Sequence, residues 1–256
     1  MKHRRACRVF DLSRYAWWYR PKPDQNVELR KKLTELAAQY PVYGHPMLHD
    51  LIRQSWPAPV NHKRTERIYQ QEGLSLRRRN KRKRLRHLRK AVPVPTKRDD
   101  VWSMDFIHDW LGTNQRLKVL TMVDHCTREL PEFVVGTSIR GIDVVATLEA
   151  LRLLGRKPRV IVMDNGPEFR SKVMHKWATK HGVQLHFIEP GKPTQNAFIE
   201  SLNGRFREEC LDRNLFENLD HARLFIQAWK REYETVIPHS SLGGISPKKF
   251  VERLTA

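Results

Sequence analysis

The sequence predicts a mixed α/β sheet flanked by helices and preceded by a small all-helical module. Three short apolar runs, at 101–108, 117–124 and 131–137, have brief connections that favour antiparallel hairpins. Helix and strand patterns then alternate, with helices at 142–154 and 168–180 and strands at 159–163 and 184–188. Two further helical patterns follow, around Glu200 and around residues 222–233. Hairpins followed by alternating helices and strands indicate a mixed sheet covered by helices.

Shifts in composition and the positions of turn-forming residues divide the chain into four segments. We expect a helical remnant at 1–24, a helix-turn-helix-like domain at 25–76, a basic run with a proline linker at 77–96, and the α/β domain at 97–256. No apolar run is long enough to span a bilayer, and no secretory signal opens the sequence. The three cysteines are widely separated, so we expect neither a disulfide framework nor a zinc site, and a reducing cytoplasm fits.

The charge balance points to a polyanionic partner. The chain has 48 Lys and Arg residues against 28 Asp and Glu, a formal net charge of +20. Ten of the fourteen residues at 77–90 are basic, a density that repels itself unless a partner neutralises it. Contacts of such a run with DNA phosphates would give tight, salt-dependent and sequence-independent affinity. We therefore expect nucleic acid as the partner.

Residues 25–72 read as three short helices, the third of which Asn61 is expected to cap. Its candidate DNA-reading face holds His62, Lys63, Arg64 and Arg67. The alternative is a structural three-helix spacer with solvated charges. Ahead of it, the aromatic residues at 17–19 belong either to the end of a truncated helical unit or to packing against the next helix.

Three acidic residues stand out by their local context. Asp105 lies within a strand pattern, Asp164 opens the turn Asp-Asn-Gly-Pro after a buried strand, and Glu200 lies on a helix that begins near Thr194 and Gln195. That helix has an apolar stripe formed by Phe198, Leu202 and Phe206. Glu200 lies on the other side, beside Asn203. An acid in a buried strand is costly unless it is paired or binds a metal, so the three carboxylates predict a site for Mg²⁺.

Five blocks in order carry a resemblance to a known family. They are Trp102-Ser-Met-Asp-Phe106, Val119-Leu-Thr-Met-Val-Asp124, Asp164-Asn-Gly-Pro-Glu-Phe169, Pro190-Gly-Lys-Pro-Thr-Gln-Asn-Ala-Phe-Ile-Glu-Ser-Leu-Asn-Gly204 and Pro238-His-Ser-Ser-Leu242. Over roughly residues 25–255 the chain closely resembles bacterial transposases of the insertion-sequence-three family, in the protein read from the second open reading frame. Asp105, Asp164 and Glu200 match the D-D-E triad of that family, with 35 residues between the last two.

The resemblance implies a fold, a reaction and partners. The fold would be ribonuclease-H-like, with the first and fourth strands side by side so that Asp105 lies next to Asp164. Two Mg²⁺ ions, replaceable by Mn²⁺, would support DNA cleavage by water and joining by a DNA 3′-hydroxyl. Expected partners are DNA, the upstream-frame protein and further copies of this chain, in a cytoplasmic, nucleoid-associated setting. The alternatives are a decayed transposase that only binds DNA and a nuclease that only hydrolyses.

Further candidate residues surround the triad and the basic run. The predicted DNA contacts, beyond those of the helical module, are Lys192, Gln195, Asn196, Arg205, Arg207, Arg77, Arg78, Arg79, Lys81, Arg82, Lys83 and Arg84. For Lys192, Gln195 and Asn196 the alternative is loop and helix capping. Asp124 is expected to hydrogen-bond to a turn, and His239 either to touch DNA or to cap locally. His125, Cys126, Glu234 and Ile237 depart from the family pattern; a missing base and a new acid should weaken DNA binding there.

Overall fold

The fold is described from a computed structural model, which covers residues 3–20, 24–76, 94–189 and 196–255. Several predicted features lie outside these ranges: the basic run with its seven proposed DNA-binding residues Arg77, Arg78, Arg79, Lys81, Arg82, Lys83 and Arg84, and the loop with Thr194, Lys192 and Gln195. Within the described ranges no helix is long and apolar enough to cross a membrane.

A five-stranded mixed sheet forms the centre of the α/β domain. Its strands are β1 (Val101–Trp110), β2 (Arg116–Asp124), β3 (Phe133–Gly136), β4 (Val160–Met163) and β5 (Gln184–Phe187). Their order is β3-β2-β1-β4-β5, with β1, β2 and β3 antiparallel and β1, β4 and β5 parallel. The predicted hairpins and the adjacency of the first and fourth strands are thereby confirmed.

Ten helices accompany the sheet in the described ranges. They are α1 (His3–Val9), α2 (Arg14–Trp18), α3 (Val27–Gln39), α4 (His45–Ser55), α5 (His62–Gln71), α6 (Gly141–Leu153), α7 (Lys172–His181), α8 (Ala197–Glu209), α9 (Leu219–Thr235) and α10 (Pro247–Thr255). The predicted helix at 168–180 begins at Lys172, because the Ser171 hydroxyl accepts a hydrogen bond from Met174 N and caps it. Helix α10 was not predicted.

The alternation of side chains along β1 divides the core into two layers. Trp102 and Met104 are buried in the cluster that contains the apolar faces of α6 and α7. Ile107, on the opposite face of the strand, belongs to the cluster that contains α8 and α9. Because successive strand residues point to opposite faces, Asp105 lies on the α8 side with Ile107.

The helical module shares its core with the α/β domain. Leu33, Leu48 and Ile68 are fully buried, one from each of α3, α4 and α5, and belong to the same apolar cluster as the inner faces of α8 and α9. The Tyr40 hydroxyl donates a 2.8 Å hydrogen bond to Glu232 of α9. The Asn61 side chain accepts from Lys63 N at 2.9 Å, which confirms the predicted cap of α5.

The aromatic residues at the N-terminus are mostly exposed. Trp17 and Trp18 each contact the His3 ring, at centroid distances of 5.7 and 5.3 Å, so α1 and α2 pack on each other. Tyr19 nevertheless leaves 63% of its surface exposed. These contacts join the two tryptophans to the preceding helix α1, whereas the expected packing was against the next helix.

Asp124 organises the turn that follows β2. The residue is fully buried, and its Oδ1 accepts hydrogen bonds from Cys126 N and Thr127 N at 2.7 and 2.8 Å. Its Oδ2 accepts from Asp99 N at 2.7 Å and from Trp102 Nε1 at 3.2 Å. The expected role of Asp124 as a turn acceptor is therefore confirmed.

Replacing Asp124 with alanine should lower the free energy of unfolding by about 3 kcal/mol or more, because several buried donors would lose their acceptor. Urea denaturation of the wild type and the variant measures the change. Asp220→Ala is the matched control, since the Asp220 side chain is 89% exposed and should change stability by no more than about 0.5 kcal/mol. Equal losses for the two variants would show that Asp124 does not organise the turn.

Candidate active site

Two of the three predicted acids are placed by the pairing of β1 with β4. The parallel register pairs Val101 with Val160 and Ser103 with Val162. Continued by two residues, the same register sets Asp105 opposite Asp164. Asp164 is the first residue after β4, so both carboxylates belong to the same edge of the sheet.

The third acid comes from α8, which packs against β1 and β2. The buried stripe of α8 consists of Ile199, Leu202 and Phe206. Phe198, predicted as part of that stripe, is 37% exposed and contacts the His125 ring, so this part of the prediction is wrong. Glu200 is exposed and lies in the first turn of the helix, where the positive end of the helix dipole favours a carboxylate.

Asn203 ties α8 to the strand that carries Asp105. Its Nδ2 donates to Asp105 Oδ2 at 2.8 Å, and its Oδ1 accepts from Thr121 Oγ1 at 2.9 Å. Thr121 is the residue opposite Asp105 in the antiparallel β1–β2 register. Because Asn203 follows Glu200 by one helical turn, this contact also brings Glu200 toward the same edge.

Burial perturbs the carboxyl group of Asp105. Burial raises the pKa of Asp105 from 3.8 to about 6, and the negative charges of Asp164 and Glu200 add to that rise. Hydrogen bonds from Phe106 N and Asn203 oppose it by stabilising the charged form. A partly buried carboxylate beside two others has the electrostatic character of a cation site.

The three carboxylates lie at the same edge of the sheet but do not converge on one point. Within the described ranges, no three His, Cys, Asp or Glu side chains lie close enough together to hold a metal ion. The donor set is nevertheless suited to a hard divalent cation, since all three groups offer oxygen ligands and repel one another.

The loop after β4 is held by its own side chains. Asp164 Oδ1 accepts from Gly166 N at 2.9 Å, which forms a tight turn. Asn165 Nδ2 donates to the carbonyl oxygen of Ile188 at 2.7 Å and ties the loop to the end of β5. These contacts give Asn165 and Gly166 structural roles in the loop.

The start of α8 is anchored in the interior. Asn196 is 4% exposed, and its Oδ1 accepts a 2.5 Å hydrogen bond from Ser103 Oγ. The same hydroxyl lies 2.6 Å from His125 Nε2. Asn196 thus makes an internal contact in this structure, although its side chain makes no cap hydrogen bond to the helix.

The two arginines of α8 differ in their surroundings. Arg205 lies 3.3 Å from Glu209 in an ion pair one turn along the helix and is about a quarter exposed. Arg207 is more exposed; it donates to the carbonyl oxygen of His108 at 3.0 Å and lies 3.8 Å from Asp212. Arg207 therefore presents a guanidinium group at the surface beside β1.

The basic side chains of α5 are on its outer face. His62, Lys63, Arg64 and Arg67 are on the solvent side of the helix, whereas Thr65, Ile68 and Tyr69 are buried. Arg64 donates to Asn26 Oδ1 at 2.6 Å, so this arginine also links α5 to the start of α3. Lys63 and Arg67 are one turn apart and share a side of the helix.

The departures from the family pattern occupy structural positions. Ile237 is buried in the apolar cluster, and Glu234 accepts a 3.1 Å hydrogen bond from Leu130 N. Burial raises the pKa of Glu234. His125 is buried beside Ser103, and burial lowers its pKa to about 3. These contacts give Glu234 and His125 roles inside the protein.

Asn203 and Thr121 are the site residues whose roles the sequence did not reveal. The position of Asn203, one helical turn after Glu200, was an available signal, because residues at that spacing share a face. The role of Thr121 depends on the β1–β2 register, which places it opposite Asp105. That register cannot be read from the sequence to the residue.

Known protein families match three parts of the chain. Residues 95–193 and 181–247 match two families that are each described as an integrase core domain. Residues 24–82 match the HTH-like domain family. Helices α3, α4 and α5 lie within the HTH-like match, all five strands lie within 95–193, and α8 and α9 lie within 181–247.

Two insertion-element proteins are similar to nearly the whole chain. The chain is 41% identical over 254 residues to the insertion element IS407 uncharacterized 31.7 kDa protein of Burkholderia multivorans, covering 99% of this chain and 91% of that one. It is 42% identical to the insertion element IS476 uncharacterized 39.2 kDa protein of Xanthomonas euvesicatoria, covering 98% and 72%.

A solved structure has the same fold. A chain of the simian T-cell lymphotropic virus intasome, in complex with PP2A regulatory subunit B56 gamma, aligns with a TM-score of 0.56 at 14% identity, over 85% of this chain and 73% of that one.

The sheet order, the family matches and the identity over nearly the whole chain lead to one conclusion. The chain belongs to the insertion-sequence-three family of transposases, in the group encoded by the second open reading frame, with a helix-turn-helix-like region ahead of an integrase core.

Proposed function

We propose that this chain cleaves DNA at the ends of an insertion element and joins the resulting 3′-hydroxyl ends to target DNA, with a divalent metal. The observation that carries the proposal is the Asn203 contact with Asp105, because it brings the helix of Glu200 to the edge shared by Asp105 and Asp164. The family membership supplies the class of reaction.

The three carboxylates are the proposed metal ligands and catalytic residues. Asp105 and Asp164 would be the principal ligands, and Glu200 would complete the site from α8. When bound, two divalent ions activate a nucleophile and stabilise the leaving oxygen of an in-line displacement at phosphorus. The ions would be Mg²⁺, with Mn²⁺ as a substitute.

The residues around the triad would orient DNA rather than react with it. Asn203 donates to Asp105 Oδ2 and Phe106 N donates to Asp105 Oδ1, so both oxygens of this carboxylate are oriented by hydrogen bonds. Arg207 presents its guanidinium group beside β1, where it can contact a phosphate. On the helical module, Lys63 and Arg67 of α5 are the cations proposed to meet duplex DNA.

Three assembly partners belong to the proposal. DNA supplies the element ends and the target, and the high net charge of +20 suits that partner. Joining two ends in one reaction requires two active sites, so at least a dimer on DNA is expected. The upstream-frame protein of the same element is the proposed protein partner.

Replacing Glu200 with glutamine should abolish joining without unfolding the protein, because Glu200 is exposed on α8. The assay uses a labelled, pre-nicked element end with Mg²⁺ or Mn²⁺, in which strand-joined products are separated by size. Joining should fall by roughly 100-fold or more, a loss typical when a catalytic electrostatic group is removed.

Glu208→Gln is the control for this assay, because it makes the same change at another exposed position of α8. Its joining should match that of the wild type. If wild type and Glu200→Gln bind DNA alike and neither cuts nor joins it, the chain is not an active enzyme in this form, and it is either a DNA-binding remnant or one half of an enzyme that needs its partner. If the wild type nicks but never joins, it is a hydrolytic nuclease.

Replacing Asp105 with asparagine should stabilise the metal-free protein at pH 8 by about 1–3 kcal/mol, because the wild type must fold with a buried charge at this position. The folded pKa of about 6 lies above the ordinary value of 3.8. The stability contributed by protonated Asp105 is therefore present at low pH and is lost as pH rises through about 6.

Thermal unfolding with and without Mg²⁺ completes this test. Mg²⁺ should raise the unfolding temperature of the wild type, since a ligand of the native state stabilises it, and should not raise that of Asp105→Asn. Asp109→Asn, on the same strand, should behave like the wild type. An equal effect of Mg²⁺ on all three proteins would contradict the assignment of Asp105 as a ligand.

A further inference from the structure

One side of α8 lines a cavity of about 380 Å³. This side is adjacent to the side of the helix that carries Glu200. The cavity lining comes from α8, the end of β2 and the following turn, Tyr233 of α9, and the segment after α9. The polar residues of the lining are Arg128, Ser201, Arg205, Tyr233, His239, Ser240 and Ser241. Ser201 and Arg205 are one helical turn apart, so they share the cavity side of α8.

Two nitrogen atoms of residues that line this cavity lack a partner among the described residues. Arg205 Nη1 and His239 Nε2 are buried and, in the part of the chain that the structure describes, make no hydrogen bond. Burial lowers the pKa of His239 to about 3, so its ring is neutral and can carry its hydrogen on Nε2. Leaving buried donors unpaired is costly, so binding of an acceptor that reaches these two atoms would be favourable.

The cavity has a positive character. Arg128 donates to the carbonyl oxygen of His125 at 2.6 Å and lies 3.9 Å over the Phe198 ring. Its Nε also lies 3.4 Å from Ser241 Oγ, so these partners are neutral. Arg205 is paired with Glu209, but among the described residues that line the cavity none carries a carboxylate. Two guanidinium groups without an acid in the lining favour an anion.

The donor set suits a tetrahedral oxyanion with an apolar neighbour. Guanidinium groups, an imidazole N–H and serine hydroxyls are the groups that bind phosphate oxygens. Phe198 and Leu202 add an apolar wall on the α8 side, against which a deoxyribose can pack. The combination fits one phosphodiester of a nucleic acid better than a fully hydrated free anion.

We propose that this cavity binds a backbone phosphate of the DNA strand that reaches the edge formed by Asp105, Asp164 and Glu200. The inference rests on the proposed function, because that function supplies the strand. Ser201 follows Glu200 directly, so a phosphate held here would fix the register of the strand along α8. Arg128, Arg205, His239 and Ser240 are then positioning residues, and no bond is made or broken at them.

The test uses a pair of variants at Ser240, which is exposed and whose side chain has no hydrogen bond to lose among the described residues. Ser240→Asp adds a negative charge to the cavity, whereas Ser240→Asn changes the size similarly without charge. Fluorescence anisotropy with Ca²⁺ measures binding of the full chain to a duplex that carries the terminal sequence of its element. Ser240→Asp should bind about tenfold or more weakly than Ser240→Asn, because like charges would meet.

A scan with neutral methylphosphonates identifies the phosphate involved. A methylphosphonate at one position in the duplex should weaken binding of the wild type by about tenfold. The same methylphosphonate should weaken binding of Ser240→Asp only slightly. Arg205→Met should show the same loss of sensitivity at that position. Arg152→Gln, on α6 and paired with Glu149, serves as the charge control and should keep the wild-type pattern.

Three outcomes would overturn the inference. Equal affinities of Ser240→Asp and Ser240→Asn, or an unchanged methylphosphonate pattern in Ser240→Asp and Arg205→Met, would show that the cavity holds no DNA phosphate. A change of oligomeric state in Ser240→Asp without DNA, with the phosphate pattern intact, would identify an acidic protein segment as the occupant. Because the assay needs no catalysis, none of these outcomes bears on the Glu200-dependent joining reaction, which is tested separately.

Discussion

The parallel pairing of β1 with β4 is the constraint on which the candidate site depends. It aligns Asp105 with Asp164 although 59 positions separate them in the sequence. The pairing lies at the centre of a sheet covered on both faces, so a one-residue slip of either strand would exchange the side chains that pack into the two layers. The acids are thereby positioned by the buried centre of the sheet.

Helix α8 connects this fixed edge with the rest of the molecule. On one side Asn203 holds Asp105, and on another the buried stripe packs into the apolar cluster that continues to the helical module. The flank with Arg205 lines the cationic cavity. A single helix therefore carries the third acid, the contact that orients the first, and the donors proposed to hold a DNA phosphate.

Much of this arrangement was predictable because its signals are local. The apolar run before Asp164 and the turn residues after it place that acid at the end of a strand, and the β4 loop confirms this. The cap of α5 at Asn61 depends only on nearby residues, and it is present as predicted. Local chemistry of this kind is readable from a single sequence.

The errors arose where tertiary contacts decide. Spacing alone selected Phe198 for the buried stripe of α8, whereas the structure buries Ile199 and places Phe198 under Arg128. Asn196 was expected to contact DNA or to cap the helix, but its oxygen is paired with Ser103 in the interior. Neither the stacking of Arg128 nor the partner of Asn196 leaves a pattern in the sequence, since each joins distant segments.

The central claim is that Asp105, Asp164 and Glu200 converge on a divalent metal. The most direct measurement is a crystal structure of the full chain on its element-end DNA in Mn²⁺, with anomalous scattering used to locate the ions. We predict manganese within roughly 2.0–2.3 Å of carboxylate oxygens from both Asp105 and Asp164, with Glu200 turned toward the same ions. Manganese bound only by other groups, with these carboxylates free of metal at saturating Mn²⁺, would contradict the account.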